Sequence, residues 1–349
     1  MAVTLKDIAT QAGVSQAAVS IALGSSGRIS DATRERILGI AAELGYRPNL
    51  LVQGIQTGRT QTIGLLMHFA TAFDAQLFEG IHNALNSRNY VPIVLCRDDL
   101  CRTDHQGVVL EQVHALLDRR VDGVLLRPTD GALWEDHLDE ILERGVPVAT
   151  LDTEIQAKVP QIDFYGTDDI HGAQIVAKHL LDLGHRRFGL VTSGDLPTPK
   201  AMRSEAFVQA VAAAPGTTCV IKTSDWLDRQ FNDRGAQALL DLDPRPTAVF
   251  ATSDNLAVTV TQAAVDRGLS IPQDFSLVGF SDTVNGNGLR PRLTTVRQDP
   301  FAIGHGATTL LLDRIDEQHN KTTPKSPRKA VRQKTELIIR ETTGPPPGV

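Results

Sequence analysis

The sequence predicts an α/β chain with a helical head: three short helices in a helix-turn-helix pattern, a joint, and two Rossmann-like lobes, each a parallel sheet with helices on both faces. Three observations carry this. Helical periodicity broken at Gly13 and Gly45 fills the first 45 residues, brief apolar strands alternate with amphipathic helices from Ile63 onward, and that alternation runs twice. With 349 residues, 41% hydrophobic and 22% charged, the chain can build such a head and body and belongs to no disordered or fibrous class.

In the head, Leu5, Ile8, Ala9 and Ala12 share one helical face, with Thr4 as N-cap and Asp7 three residues later, before Gly13-Val14 ends the helix. Ser15 caps a second helix, Gln16 to Leu23. Its buried side is read as Ala18, Val19 and Leu23, which leaves Gln16, Ala17, Ser20 and Ile21 outward; such small and polar side chains fit a major groove. Ser30 begins a third helix, where Ile37, Ile40, Ala41 and Leu44 recur at helical spacing before the Gly45 stop. Tyr46-Arg47-Pro48-Asn49 and the apolar stretch Leu50 to Gln56 follow, too short to hold a helix alone.

In the body, Ile63–Met67, Val91–Leu95, Gly123–Leu126 and Pro147–Leu151 read as strands, with helices near 75–88, 106–120 and 132–144. After Asp163 the rhythm repeats, with strands at Arg187–Val191, Cys219–Ile221, Ala248–Ala251 and Ser276–Phe280. Open sheets of this kind take ligands beyond the carboxyl ends of their strands, so a cleft between two such lobes is the natural small-molecule site. The Pro- and Gly-rich residues 341–349 read as a flexible tail, and His185 reads as a cap on a helix end.

The charge is unevenly spread. Residues 1–60 hold six basic and four acidic side chains, +2, which leaves −8 of the net −6 on the remainder. A mildly basic head on an acidic body can dock on phosphates while the body stays off; so small an excess calls for two heads and hence a homodimer. Cys96, Cys101 and Cys219 form neither a disulfide framework nor a zinc-ligand spacing, so no metal or cofactor is expected. The amino terminus lacks the charged and apolar regions of a signal peptide, and no stretch suits a membrane span, so a cytoplasmic, nucleoid-associated protein is expected. Phosphate-loop and nucleophile-elbow motifs are missing, which argues against an enzyme. A secreted solute-binding protein would share the body but not the head.

Together these motifs resemble the lactose/galactose repressor (LacI/GalR) family of bacterial transcription regulators. Val3-Thr4-Leu5-Lys6-Asp7-Ile8-Ala9, Ala12-Gly13-Val14-Ser15 and Val19-Ser20 match its opening signature; Thr33-Arg34-Glu35-Arg36-Ile37 and Leu44-Gly45-Tyr46-Arg47-Pro48-Asn49 match its third helix and the start of its hinge. In the body, Val121-Asp122-Gly123, Leu183-Gly184-His185-Arg186-Arg187, Pro246-Thr247-Ala248-Val249-Phe250, Val278-Gly279-Phe280 and Leu293-Thr294-Thr295-Val296-Arg297-Gln298 resemble its landmarks in order. The resemblance implies a helix-turn-helix domain at 1–47, a hinge at 48–60 and a periplasmic-binding-protein-like body at 61–340. It divides that body into a first lobe (61–162 plus 293–323) and a second (163–290 plus 326–340).

It further implies an effector-responsive regulator, most often a repressor, that grips a palindromic double-stranded operator as a dimer and responds to a small sugar-like effector. Both signs of response, release or recruitment of DNA, stay open. On DNA, Gln16 would bond adenine, and Ala17 and Ile21 would touch thymine methyls, where many relatives carry arginine in place of Ile21. Thr4, Ser15, Ser20, Thr33 and Asn49 would meet phosphates or set register, and Gln53 and Ile55 would act in the hinge, Ile55 as a minor-groove wedge. Residues implied for the effector are Phe73, Asp74, Arg127, Asp152, Arg203, Trp226, Ser253, Ser281 and Asp282. Ser253-Asp254 and Ser281-Asp282 stand where the family often has Asn-Asp and paired acids. With Arg127 and Arg203 present, an anionic sugar derivative is one reading of the ligand.

Overall fold

The computed structural model describes residues 3–24, 28–47, 54, 58–67, 69, 71–96, 105–128, 138–155, 162–193, 199–224, 234–283, 288–320 and 326–348. They divide into two compact units, Met1–Thr60 and Gln61–Val349.

The first unit contains α1 (Leu5–Ala12), α2 (Gln16–Leu23) and α3 (Asp31–Glu43). Local chemistry fixes each end. Asp7 Oδ2 accepts from the Thr4 amide at 2.9 Å and from its hydroxyl at 2.7 Å; Gly13 then closes α1 in the left-handed region at φ 62°. Ser15 Oγ accepts from the Ala18 amide at 3.2 Å to start α2, and Ser30 Oγ does the same for Thr33. The core joins Ile8, Ala9, Ala12, Val19, Ala22, Ile37 and Ala41. Here α2 is rotated from its expected phase: Val19 and Ala22 are buried, while Ala18 and Leu23 are only half-buried. The i, i+3 pair Val19 and Ala22 is small enough to let α2 sit against α1 and α3.

The second unit holds two six-stranded sheets. The first has the order β11-β5-β4-β3-β1-β2 and the second β12-β10-β9-β8-β6-β7, so each position of one sheet has its counterpart in the other. Strands β1 (Thr62–Met67), β2 (Val91–Cys96), β3 (Gly123–Leu126), β4 (Val148–Leu151), β5 (Asp163–Thr167) and β11 (Ala330–Gln333) are all parallel. In the second sheet β6 (Arg187–Thr192), β7 (Thr218–Thr223), β8 (Ala248–Ala251), β9 (Ser276–Ser281) and β10 (Thr294–Arg297) are parallel and β12 (Glu336–Ile338) antiparallel. Both faces of each sheet are covered, and side chains alternate between them: Ile63, Leu65 and Met67 enter one core while Leu66 enters the other.

Helices α4 (Ala72–Ser87), α5 (His105–Asp118) and α10 (Pro300–His319) pack on the first sheet; α6 (Asp169–Asp182), α7 (Pro199–Ala212), α8 (Arg234–Leu240) and α9 (Asp254–Val265) pack on the second. Residues 138–143 are helical, and the rest of the helix expected at 132–144 falls outside the described residues. Helices α4 and α10 cross through glycines: a Cβ on Gly80 would meet the Phe301 carbonyl oxygen at 2.0 Å, and one on Gly304 would meet that of Leu77 at 2.0 Å.

The chain changes lobe after Thr167, Arg297 and Gln333, which corrects the expected boundaries at 162/163, 290/293 and 323/326. Strand β5 joins the first sheet because it pairs with β4 and its buried Asp163 takes a bidentate contact from Arg314 of α10, at 2.8 and 3.0 Å. Strand β10 lies between β9 and β12, with Thr294, Thr295 and Val296 buried.

Residues 341–344 are likewise no loose tail. Thr342 is buried, its carbonyl accepts from the Leu277 amide at 2.8 Å, and its hydroxyl donates to the Leu277 carbonyl at 2.7 Å. His185 anchors the next turn. It is wholly buried, touches Thr247 Oγ1 at 3.0 Å and Ser276 Oγ at 3.1 Å, and donates from Nε2 to the Gly344 carbonyl at 2.9 Å. Ser and Thr hydroxyls and backbone carbonyls there satisfy groups that Pro/Gly content alone suggested would face water.

Candidate nucleic-acid interface and ligand site

In the head, Gln16 and Ala17 are exposed on the first turn of α2, and Ser20 and Ile21 continue that face half-buried. Thr4 and Ser15 are exposed, but each already serves as a helix cap; Thr33 is half-buried, 2.8 Å from the Ser30 hydroxyl. Arg34, not singled out in the sequence, donates from Nη1 to the carbonyls of Ala22 at 3.0 Å and Gly24 at 3.2 Å. It thereby ties the end of α2 to α3 and fixes the angle at which Gln16 and Ala17 are offered. Asn49, Gln53 and Ile55 lie outside the described residues.

In the body, the expected ligand residues gather where strands end. Arg127 directly follows β3, Asp152 follows β4, and Asp74 stands in the first turn of α4. Arg127 donates to Asp152 Oδ2 from Nε at 3.0 Å and Nη2 at 2.7 Å, and its Nη1 bonds Asp74. Its guanidinium lies 5.1 Å from the centre of the Phe73 ring, a mostly buried side chain of the first lobe's core. Burial depresses the Arg127 pKa, yet Asp152 and Asp74 more than offset this and raise it. The planar fork is therefore already occupied by carboxylates, which removes Arg127 as an open anion partner. Asp152 Oδ1, by contrast, is buried with no hydrogen-bond partner among the described residues. Asp152 also holds a left-handed backbone at φ 64°, a strained conformation of the sort found where function fixes the chain.

The second lobe answers with Arg203 on α7. It is 4% exposed and donates from Nε to Asp169 Oδ1 at 2.7 Å and from Nη1 to the Thr252 carbonyl at 2.8 Å, with the Phe280 ring 3.8 Å beneath it. No described residue accepts from its Nη2. Burial pushes the Asp169 carboxyl up to about 7 against the pull of Arg203, and Asp152 of the other lobe adds to the rise, so the two clusters face each other. Lys200, one turn before Arg203, donates to Ser193 Oγ at 2.8 Å. Asp169, Lys200, Ser193 and the Thr252 carbonyl were missed in the sequence. The available signal was the i, i+3 pair of cations in Pro199-Lys200-Ala201-Met202-Arg203 and the acidic pair Asp168-Asp169 after a strand.

Three expected ligand residues have internal duties. Ser253 caps α9 by accepting from the Leu256 amide, and Ser281 donates to Gln298 Oε1 at 3.0 Å. Asp282 pairs with Arg297 at 2.8 Å and Arg340 at 2.6 Å. The Ser281 and Asp282 contacts lie beside the passage between lobes at Arg297-Gln298. Trp226 lies outside the described residues.

Residues 4–49 match the model of bacterial regulatory proteins of the lacI family, and residues 177–343 match a periplasmic-binding-protein-like domain. The catabolite control protein A of Priestia megaterium is 30% identical over 329 residues, covering 91% of this chain and 94% of that protein. Among solved structures, a complex of the transcriptional regulator CelR with cellobiose is 26% identical with a TM-score of 0.69, covering 98% of this chain and 100% of the other. The lac repressor dimer bound to operator and the anti-inducer ONPF superposes with a TM-score of 0.82 at 24% identity, covering 99% and 100%. Head, twin sheets and whole-length similarity agree: the chain belongs to the LacI family of bacterial regulatory proteins.

Proposed function

We propose that this chain is a transcriptional repressor that holds a two-fold symmetric operator as a homodimer and changes its grip when a small sugar-like ligand enters the cleft between its lobes. One observation carries the reading: a chain with an exposed Gln16-Ala17 reading face also builds a cleft where, among the described residues, Asp152 Oδ1 has no donor and Arg203 Nη2 no acceptor. A hydroxyl both donates and accepts, so a polyol meets both needs, and the similar CelR structure holds a sugar. Gln16 reads adenine, Ala17 and Ile21 meet thymine methyls, and Ile55 wedges the hinge into the minor groove. The head's +2 charge makes one head a weak binder, and two linked heads multiply the affinity. Ligand and DNA are coupled by a shift in the population of lobe arrangements. The chain works by binding, without catalysis, on cytoplasmic DNA; among the described residues no helix is long and apolar enough to cross a membrane.

Selection of duplexes from a random pool tests this. Enrichment of one symmetric site, followed by a mobility shift that neutral or phosphorylated sugars alter in wild type but not in Arg203→Ala, is the expected result. A pool that yields only salt-sensitive binding without sequence preference would overturn it.

A further inference from the structure

A cavity of about 370 Å³ lies along the seam where the chain passes from lobe to lobe. That volume is enough for a small metabolite, since ligand sites begin at roughly 300 Å³. Its walls come from all three passages: Thr167 after β5, Arg297 to Asp299 between β10 and α10, and Gln333 to Glu336 between β11 and β12. It is a different place from the Arg127 and Arg203 clusters. Asp74, Asp152, Asp169 and Arg203 are buried and none of them lines it, whereas Arg297, Asp299, Lys334 and Glu336 do and are exposed.

The charges around this cavity are unevenly matched. Arg297 is engaged by Asp282 at 2.8 Å, with Glu336 at 3.7 Å. Lys334 has no hydrogen bond or ion pair among the described residues. Asp299 caps α10 by accepting from the Ala302 amide with Oδ1 at 2.9 Å, and no described residue donates to its Oδ2. Between Lys334 and Glu336, Thr335 is buried and turned to the His171 ring at 2.9 Å, while the charged residues on either side of it stay exposed. One cavity thus offers an ammonium without an acceptor, a carboxylate oxygen without a donor, and a second carboxylate held by one long contact.

We propose that this seam cavity is a second ligand site, and that it takes a small zwitterion of the α-amino-acid class. Lys334 holds the ligand's carboxylate, and Asp299 Oδ2 with Glu336 holds its ammonium. An anion alone would face two carboxylates, and a neutral sugar would leave all three charges unanswered. The site goes beyond the sugar-effector reading and does not depend on it. Asp299 starts α10, which packs on the first sheet, and Glu336 starts β12, which pairs in the second, so a ligand held by both biases the arrangement of the lobes.

Calorimetry on the full-length protein tests this with glycine, L-alanine, L-glutamine and L-lysine, each beside its N-acetyl derivative, which lacks the ammonium, and its amide, which lacks the carboxylate. Wild type is compared with Lys334→Met and Asp299→Asn after each is shown to melt as wild type does; an asparagine keeps the α10 cap while removing the charge. At least one of the four amino acids binds wild type, and K334M and D299N each weaken it by roughly tenfold or more. Each derivative loses a similar factor on wild type. K334M then costs the amide nothing further, and D299N costs the N-acetyl form nothing further, because the partner group is already gone. The proposal is overturned if none of the four binds at millimolar concentration, if the amide or the N-acetyl form binds as well as the free amino acid, or if binding survives both substitutions undiminished.

Discussion

Replacing Gly304 by alanine adds one methyl at the place where the first lobe has no room for it. The new Cβ would stand 2.0 Å from the Leu77 carbonyl oxygen, 3.0 Å from its carbon and 3.1 Å from the Ile81 amide nitrogen. Non-bonded atoms rest at about 3.5 Å, so α4 and α10 must part by roughly 1.5 Å. The obstacle is backbone, which cannot swing aside as a side chain can. Leu77, Ile81, Ile303 and Leu311 would all loosen, since they share the core between these helices. Overpacking costs about 1–3 kcal/mol, and this geometry belongs at the upper end. For a unit this large, about 3 kcal/mol lowers the melting temperature by roughly 5 °C. Thermal unfolding followed by circular dichroism measures it, with Gly39→Ala in α3 as control; nothing stands within 4 Å of a Cβ there, and the head should gain up to about 1 kcal/mol. Because α4 carries Asp74, G304A should weaken ligand binding as well. A G304A melting temperature equal to that of wild type would refute the claim that this crossing depends on a bare backbone.

Three further outcomes follow from the contacts. Arg34→Ala should leave the head folded but weaken operator binding several-fold, measured by anisotropy, because the end of α2 loses its tie through the Ala22 and Gly24 carbonyls. Asp169 has its folded pKa raised from 3.8 to about 7, so it favours the folded state fully below about pH 4, and that contribution fades as pH rises to about 7. Urea midpoints should show this decline in wild type and lose it in Asp169→Asn. Thr342→Val should lower the body's stability by about 1–3 kcal/mol by leaving the Thr294 amide and the Leu277 carbonyl without their partner, whereas a free tail would give no change in denaturant melts.

The head was legible because its determinants are local. Thr4, Asp7, Gly13, Ser15, Ser30 and Gly45 mark ends through neighbours three or four residues away, and only the phase of α2, set by contact with two other helices, was misplaced. In the body, strands such as Gly123–Leu126 and Ala248–Ala251 were legible as unbroken apolar runs. Strands β5, β11 and β12 carry Asp, Arg, Gln and Glu between their apolar residues, and their sheet is chosen by partners far away in sequence, such as Arg314 for Asp163. In the candidate ligand site, Arg127, Asp152 and Arg203 were nominated through family landmarks. Their pairing was not: that Arg127 is saturated by Asp74 and Asp152 depends on which helix start and strand ends meet. Charged residues at helix starts read as solvent-facing in a sequence, and here they are interior.

The three passages of the chain between lobes, at 167–169, 297–299 and 333–335, have a mechanical consequence. Two bodies joined at three neighbouring points lose most of their freedom to slide or twist apart and keep a bending coordinate along that seam. The seam is itself cross-linked, with Gln298 Nε2 donating to Thr167 Oγ1 at 2.7 Å and the Asp168 amide to the Gln333 carbonyl at 2.8 Å. Substitutions at Gln298 or Thr167 therefore act as adjustments of stiffness: they should change how much ligand is needed for a response while leaving the chemistry of ligand and of DNA recognition untouched.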